Sequence, residues 1–254
     1  MSTFEGVRGL LLDIDGTLLV DDRPIAGAAE TLMRLRAAGL PVRLMTNTSR
    51  RSRAAIARAL RSAGLEVAVP EILTPAILAR RMILDSDRKR ALILIPPEAR
   101  TDFDGVDEGD RPDWVVVGDL GRGFTWEVLN GAFRALREGA SLVALHKNRF
   151  WFAGEDGWVL DAGAFVAALE YATGMEAIVV GKPAAPFFQL ALQDLRLPAE
   201  DVLVVGDDLE TDIAGGAAAG CRTALVRTGK GAGAPSPPGG PRPDSILESI
   251  ADLP

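Results

Sequence analysis

Apolar residues in this chain gather into short unbroken runs, and each run stops abruptly at small polar or acidic residues. The first is Gly9–Leu12, which ends in Asp13-Ile14-Asp15-Gly16-Thr17. A second strand, from Pro41 to Met45 and broken only by Arg43, ends in Thr46-Asn47-Thr48-Ser49. A run without alternation reads as a strand buried on both faces, the pattern of a parallel sheet. Between these two, Pro24 to Gly39 has helical spacing, with Leu32, Leu35 and the alanines on one face and Gly39 as a natural C-cap. Strand, helix and strand in about 40 residues make a βαβ unit with a right-handed crossover. Arg50–Ser62 follows as an amphipathic helix closed by Gly64, then a short strand at Ile72–Pro75 and a helix at Ala76–Leu84.

The alternation then restarts. Ala91–Ile95 and Trp114–Gly118 read as strands flanking an acidic loop at Thr101–Asp113. A helix at Thr125–Glu138, a strand at Ser141–His146, a turn at Gly154–Trp158, a helix at Ala162–Thr173 and a strand at Glu176–Gly181 come next. The last stretch gives a helix at Pro186–Leu195, a strand at Asp201–Gly206, a helix at Asp212–Gly220 and a strand at Thr223–Arg227. Gly229–Pro243, dense in Gly, Pro and Ser, reads as a partly mobile loop, and Ser245–Ala251 as a short final helix. The fold class expected is α/β: a Rossmann-like parallel-sheet core from residues 1–77 and 178–254, with a second α/β domain inserted at 78–177. No solenoid repeat interrupts it.

Composition narrows the chemistry. With 254 residues, 48% of them hydrophobic, the chain can bury one large or two smaller cores. Its net charge of −7 and scattered arginines argue against nucleic acid or an anionic membrane as partner. The single cysteine, Cys221, rules out an internal disulfide and suits a reducing cytoplasm. The single histidine, His146, excludes a multi-histidine metal site, so a metal would need oxygen ligands. Glu5, Arg8 and Asp13 interrupt the first apolar stretch, which therefore fits neither a secretory signal nor a membrane span.

Chemistry collects at the strand ends. Alternation along a strand puts Asp13 and Asp15 on one side, about 6–7 Å apart, where they repel each other unless a cation lies beside them. The alternative is a pair of solvated acids in a turn. Thr46, Asn47 and their neighbours precede a helix, where free N–H groups favour an anion, although a simple N-cap would use the same residue types. Lys182 stands at a third strand end, in Gly181-Lys182-Pro183, or is an ordinary surface charge. Asp207, Asp208 and Asp212 follow a fourth apolar strand, and an N-cap needs one acid rather than three. Taken together these are hard oxygen ligands for Mg²⁺, with neutral donors and a cation for phosphoryl oxygens.

These four stretches, in this order, resemble the motifs of the haloacid dehalogenase superfamily of phosphatases, and the long insertion resembles the C2-type cap of its class IIA, NagD-like branch. Arg43-Leu-Met-Thr-Asn-Thr48, Ala168-Leu-Glu-Tyr-Ala-Thr173, Val179-Val-Gly-Lys-Pro183 and Val205-Gly-Asp-Asp208 extend the similarity to the group that holds phospholysine phosphohistidine inorganic pyrophosphate phosphatase and the haloacid dehalogenase-like hydrolase domain-containing proteins. The resemblance implies Asp13 as nucleophile and Asp15 as general acid and base. It implies Thr46, Asn47 and Lys182 as phosphoryl ligands. It implies Mg²⁺ held by Asp13, the Asp15 carbonyl and Asp207, with Asp208 and Asp212 in support. Dehalogenases of the superfamily lack the second acid, so Asp15 favours phosphate ester cleavage.

In such caps specificity comes from the inserted domain. His146-Lys147-Asn148-Arg149-Phe150-Trp151 is the distinctive segment there: Lys147 and Arg149 could meet a second anionic group, or the segment is a solvated hairpin whose aromatics pack inward. The expected partner is a small phosphorylated molecule, and relatives suggest a homodimer through the cap, for which apolar strands such as Trp114–Val117 offer surface. Two rivals stand beside this reading. A receiver-like phospho-acceptor shares the acids and lysine but not the insertion, and a degenerate binding scaffold would have lost some motif residues.

Overall fold

β1 (Gly9–Asp13) is buried along its whole length, as an uninterrupted apolar run requires. In the computed structural model, which describes residues 4–152, 157–231 and 240–253, this strand is the middle of a sheet. The chain continues through β2 (Leu19–Val20), β3 (Arg23–Pro24), α1 (Ala28–Ala37), β4 (Val42–Met45), α2 (Arg53–Ser62) and β5 (Ile72–Leu73). It later adds α6 (Ala185–Leu195), β12 (Val202–Gly206), α7 (Ala214–Ala218), β13 (Arg222–Val226) and β14 (Ser245–Leu247). The elements between them, numbered in the same chain order, form a second unit described below.

The first sheet is six-stranded and parallel, in the order β14-β13-β12-β1-β4-β5. From β1 the chain builds outward to β4 and β5 on one side and returns to lay β12, β13 and β14 on the other. Strand order therefore reverses beside β1, and the carboxyl ends of β1, β4 and β12 meet at the point where open α/β sheets place ligands. Leu10, Leu12, Leu44, Leu203 and Val205 join Leu32 and Leu35 of α1 and Ile56 and Leu60 of α2 in one core. Each such side chain contributes about 1.5–3 kcal/mol on burial.

The second unit holds α3 (Pro75–Asp85), β6 (Ala91–Leu94), β7 (Trp114–Val117), α4 (Trp126–Arg137), β8 (Ser141–Ala144), β9 (Phe150–Phe152), β10 (Trp158–Leu160), α5 (Ala162–Thr173) and β11 (Ile178–Val179). Its parallel sheet runs β11-β8-β7-β6. Ala76, Ala79 and Ile83 of α3 cover one face, against Ile93, Val116 and Val143. Leu136 of α4 and Val166 and Leu169 of α5 cover the other, against Leu94, Val115 and Val117. Two covered faces explain why these strands carry no polar alternation. The two compact units divide at Thr74 and Lys182, and the short segment Asn47–Ser52 groups with the second. Among the described residues no helix is long and apolar enough to cross a membrane.

Several local expectations are corrected. The helix expected from Pro24 begins only at Ala28, because Asp21 and Asp22 both adopt left-handed backbone (φ 51° and 59°) and turn a tight hairpin between β2 and β3. Two consecutive residues of positive φ are what a two-residue hairpin demands, and aspartate tolerates them. The helix expected from Arg50 starts at Arg53. Ser245–Leu247 is not helical but an edge strand: it pairs in parallel with β13, and the Asp244 carboxylate accepts from both the N–H and the hydroxyl of Thr223. A single turn of 3-10 helix, Ile250–Asp252, is what remains of the predicted helix. Trp114–Val117 lies between β6 and β8 and is fully buried, so it presents no surface to another copy. The turn expected at Gly154–Trp158 lies mostly outside the described residues, as does most of the Gly229–Pro243 loop, while Trp158 itself opens β10.

Candidate active site

Asp13 is the last residue of β1, and its neighbours on the sheet decide its surroundings. Next to it, β12 ends at Gly206 and delivers Asp207; on the other side β4 ends at Met45 and delivers Thr46. Asp13 is 4% exposed. Its Oδ1 accepts from Lys182 Nζ at 2.5 Å, and its Oδ2 is buried with no hydrogen-bond partner among the described residues. Lys182, equally buried, divides its charge between Asp13 and Asp212 Oδ1, the latter at 2.6 Å. Burial works to lower the lysine's proton affinity, but the two carboxylates outweigh it and hold the ammonium charged.

Asp207 and Asp212 complete the cluster. One carboxylate oxygen each from Asp13, Asp207 and Asp212 can be chosen so that all lie within 4.8 Å of one another. Burial, followed by the repulsion of Asp212, pushes the Asp207 carboxyl up to about 6 against the pull of a backbone N–H from Lys230. Asp13 is raised too, first by burial and then by Asp212, Asp207 and Asp15, with Lys182 opposing. Three buried carboxylates around one ammonium form a site short of positive charge. Oxygen donors, an unpartnered Asp13 oxygen and this charge deficit fit a hard divalent cation.

Asp208 plays a different part. Its Oδ1 caps the wide turn at Leu209–Ile213, accepting from Glu210 and Thr211 at 2.9 and 3.2 Å. Its Oδ2 receives Lys230 Nζ at 2.6 Å. Although burial works to raise it, the Lys230 contact and the cap hold this carboxyl below its ordinary range. Asp208 N–H donates to Asp212 Oδ2 at 3.2 Å, so the cap and the cluster are one hydrogen-bonded piece.

Asp15 lies past the end of β1, so strand alternation does not set its direction. Its side chain is exposed, and its Oδ2 accepts from Thr46 Oγ1 at 3.0 Å. Asn47, one residue on, groups with the second unit, where its Oδ1 lies against Gly181. The structure thus gathers Asp13, Asp15, Thr46, Lys182, Asp207, Asp208 and Asp212 in the first unit, whereas Lys147 and Arg149 belong to the second.

There, Lys147 Nζ is paired with both oxygens of Glu170 at 2.8–2.9 Å, and Arg149 stacks 5.6 Å over Phe150. Against the burial that would raise it, Glu170 is held low by Lys147 and by the N–H of Ala177. The loop is tied to α5 by Gly163 N–H on the Asn148 carbonyl. His146, at its start, is 3% exposed, with Nε2 3.2 Å from Ser49 Oγ and 3.8 Å from Asp161. Burial lowers its proton affinity below the ordinary 6.5, and Asp161 and Asp119 offset only part of that. The unfolded chain therefore takes a proton on this ring at a higher pH than the folded one, so stability present above about 6.5 is lost as pH falls. Between pH 7 and 5 the wild-type melting temperature is expected to drop further than that of His146→Gln; parallel curves would exclude His146 as the cause.

Sequence reasoning missed the loop after β13. Thr228 Oγ1 donates to the Gly16 carbonyl at 2.5 Å, and Lys230 N–H donates to Asp207 Oδ2 at 2.6 Å. Gly16 (φ 91°) and Gly229 (φ 55°) close on Asp207 from two loops: a Cβ on either would lie 2.2 or 2.3 Å from its Oδ2. Glycine is the residue that fits such a backbone and such an approach.

Residues 10–107 match the family model described as haloacid dehalogenase-like hydrolase, and residues 179–253 match one described as HAD-hydrolase-like. The chain is 40% identical over 231 residues to phospholysine phosphohistidine inorganic pyrophosphate phosphatase from Bos taurus, covering 89% of this chain and 84% of that one. The solved structure of NagD from E. coli K-12 superposes with a TM-score of 0.85 at 28% identity, over 97% of this chain and 98% of that one. A glycerol phosphate phosphatase from Mycobacterium tuberculosis, solved in complex with magnesium, gives a TM-score of 0.85 at 31% identity, over 98% of this chain and 77% of that one. The fold and site define an α/β hydrolase with a Rossmann-like core and an inserted cap. The chain belongs to the haloacid dehalogenase-like hydrolases.

Proposed function

We propose that this protein is a Mg²⁺-dependent phosphatase of small phosphorylated metabolites, working through an aspartyl-phosphate. The observation that carries the proposal is Asp13: a buried carboxylate with one oxygen on Lys182 and the other without a partner among the described residues, at the meeting point of three strand ends. The Asp13 carboxylate attacks phosphorus, forming a bond to one of its oxygens as the bond to the leaving oxygen breaks. Asp15, exposed and bonded to Thr46, gives its proton to that oxygen. It then takes a proton from the water that attacks the acyl phosphate, freeing inorganic phosphate and restoring Asp13. Lys182, Thr46 and Asn47 hold the phosphoryl oxygens during both displacements.

Asp13, Asp207 and the Asp15 carbonyl would hold the magnesium, with Asp208 and Asp212 keeping that set in place. When bound, the ion offsets charge building on the phosphoryl oxygens. Phosphatases among the relatives, one of them crystallised with magnesium, support the same reading. Arg149, exposed on the second unit, is the better of the two candidate specificity residues, because Glu170 already pairs with Lys147.

The experiment is phosphate release from an aryl phosphate as Mg²⁺ is titrated into chelator-treated protein. Wild type should depend on the ion. Asp207→Ala should need at least about tenfold more Mg²⁺ for half-maximal rate, because a ligand contributes more than its outer-shell supports do. An unchanged requirement in the variant would remove Asp207 from the ligand set, and metal-independent turnover would remove the metal.

A further inference from the structure

Two different groups of Lys230 meet two different acids. Its backbone N–H is bonded to Asp207, a member of the three-acid cluster, and its ammonium to Asp208, which lies outside that cluster. Replacing the side chain removes the ammonium and leaves the N–H, so the two contributions can be separated. Asp208 itself is fixed without the lysine, through its helix-capping bonds and its own N–H on Asp212. The side chain of Lys230 is 70% exposed, so the fold does not depend on packing it. What the ammonium adds is a positive charge at the margin of an acidic cluster.

We propose that Lys230 is a positioning residue that also acts electrostatically. Its backbone aims Asp207, and its ammonium weakens the grip of the Asp13–Asp207–Asp212 cluster on a divalent cation. This rests on the magnesium reading given above. A divalent ion feels a neighbouring cation twice as strongly as a monovalent one does. A damped site binds its ion at moderate strength and leaves Lys182 paired with Asp13 and Asp212 when the ion departs. A scaffolding role and a damping role predict opposite signs. If the Lys230–Asp208 pair merely braces the loop, its loss weakens the metal site; if the ammonium damps the site, its loss tightens it.

The test is calorimetric titration of Mg²⁺ alone into chelator-treated wild type, Lys230→Met, Lys230→Gln and Lys230→Arg. Both neutral variants should show a Kd lowered by about threefold or more at low ionic strength. The arginine variant should stay with wild type, and the difference should shrink as salt is added. An unchanged or raised Kd in the neutral variants overturns the proposal while leaving the metal site standing. Failure of wild type itself to take up Mg²⁺ overturns the magnesium reading and this inference together.

Discussion

Asp13→Asn protein is expected to fold normally and to release phosphate at the uncatalysed rate. The amide keeps the size of the carboxyl and can still accept from Lys182, which retains Asp212 as a partner. What disappears is the attacking charge, and removing a covalent nucleophile costs on the order of 10⁴-fold or more in turnover. Stability should move the other way. Burial and three neighbouring acids disfavour the Asp13 anion in the folded state. A neutral amide relieves that repulsion, so in chelator the variant should melt at or above the wild-type temperature. Steady-state phosphate release and a thermal melt check both halves. Near-normal turnover would place the nucleophile elsewhere, and a large drop in melting temperature would mean that the charge holds the site together.

Lys182→Met should damage both stability and turnover. Asp13 and Asp212 would remain buried with their shared cation gone, and breaking such a pair from one side costs about 3–5 kcal/mol. The pH dependence gives the argument a sign. With the lysine gone, the folded-state proton affinity of Asp13 rises further above its ordinary 3.8. A group raised in the folded state contributes stability below its unfolded pKa and loses it as pH climbs through the folded one. The deficit against wild type should therefore be largest at neutral pH and shrink on acidification, which urea unfolding at pH 7 and pH 5 would measure. A deficit that is small, or that grows in acid, contradicts the ion-pair description.

Much of this site was legible because its chemistry sits where apolar runs stop. Asp13 ends β1, and Thr46 and Asp207 follow β4 and β12; β1 and β12 are buried along their whole length, and only Arg43 breaks the apolar run of β4. A parallel sheet lines up such ends without any further instruction. What escaped the sequence lacked that punctuation. The hairpin of β2 and β3 is built from two-residue strands, too short to show a period. β14 is a three-residue edge strand whose place is set by backbone pairing to β13 and by Asp244, not by an apolar pattern. The Thr228–Lys230 strap looked like the start of a featureless loop because its decisive contact is a backbone N–H, which every residue but proline carries. His146, Ser49 and Asp119 come from separate stretches, and no spacing could have announced their meeting.

The position of β1 in the sheet also dictates an order of assembly. Its partner on one side, β4, follows within the same βαβ unit, but its partner on the other, β12, arrives only after the entire insertion has been made. Arg8 and Asp201, which bond where those two strands begin, are 193 residues apart in the chain. Pairing across such a separation is entropically late and slow compared with local contacts. On the ribosome, the inserted unit has all its strands while the central strand still shows one bare apolar edge. That edge can recruit a neighbouring nascent chain. The nucleophile therefore rests on the strand whose second flank is the last part of its surroundings to be supplied.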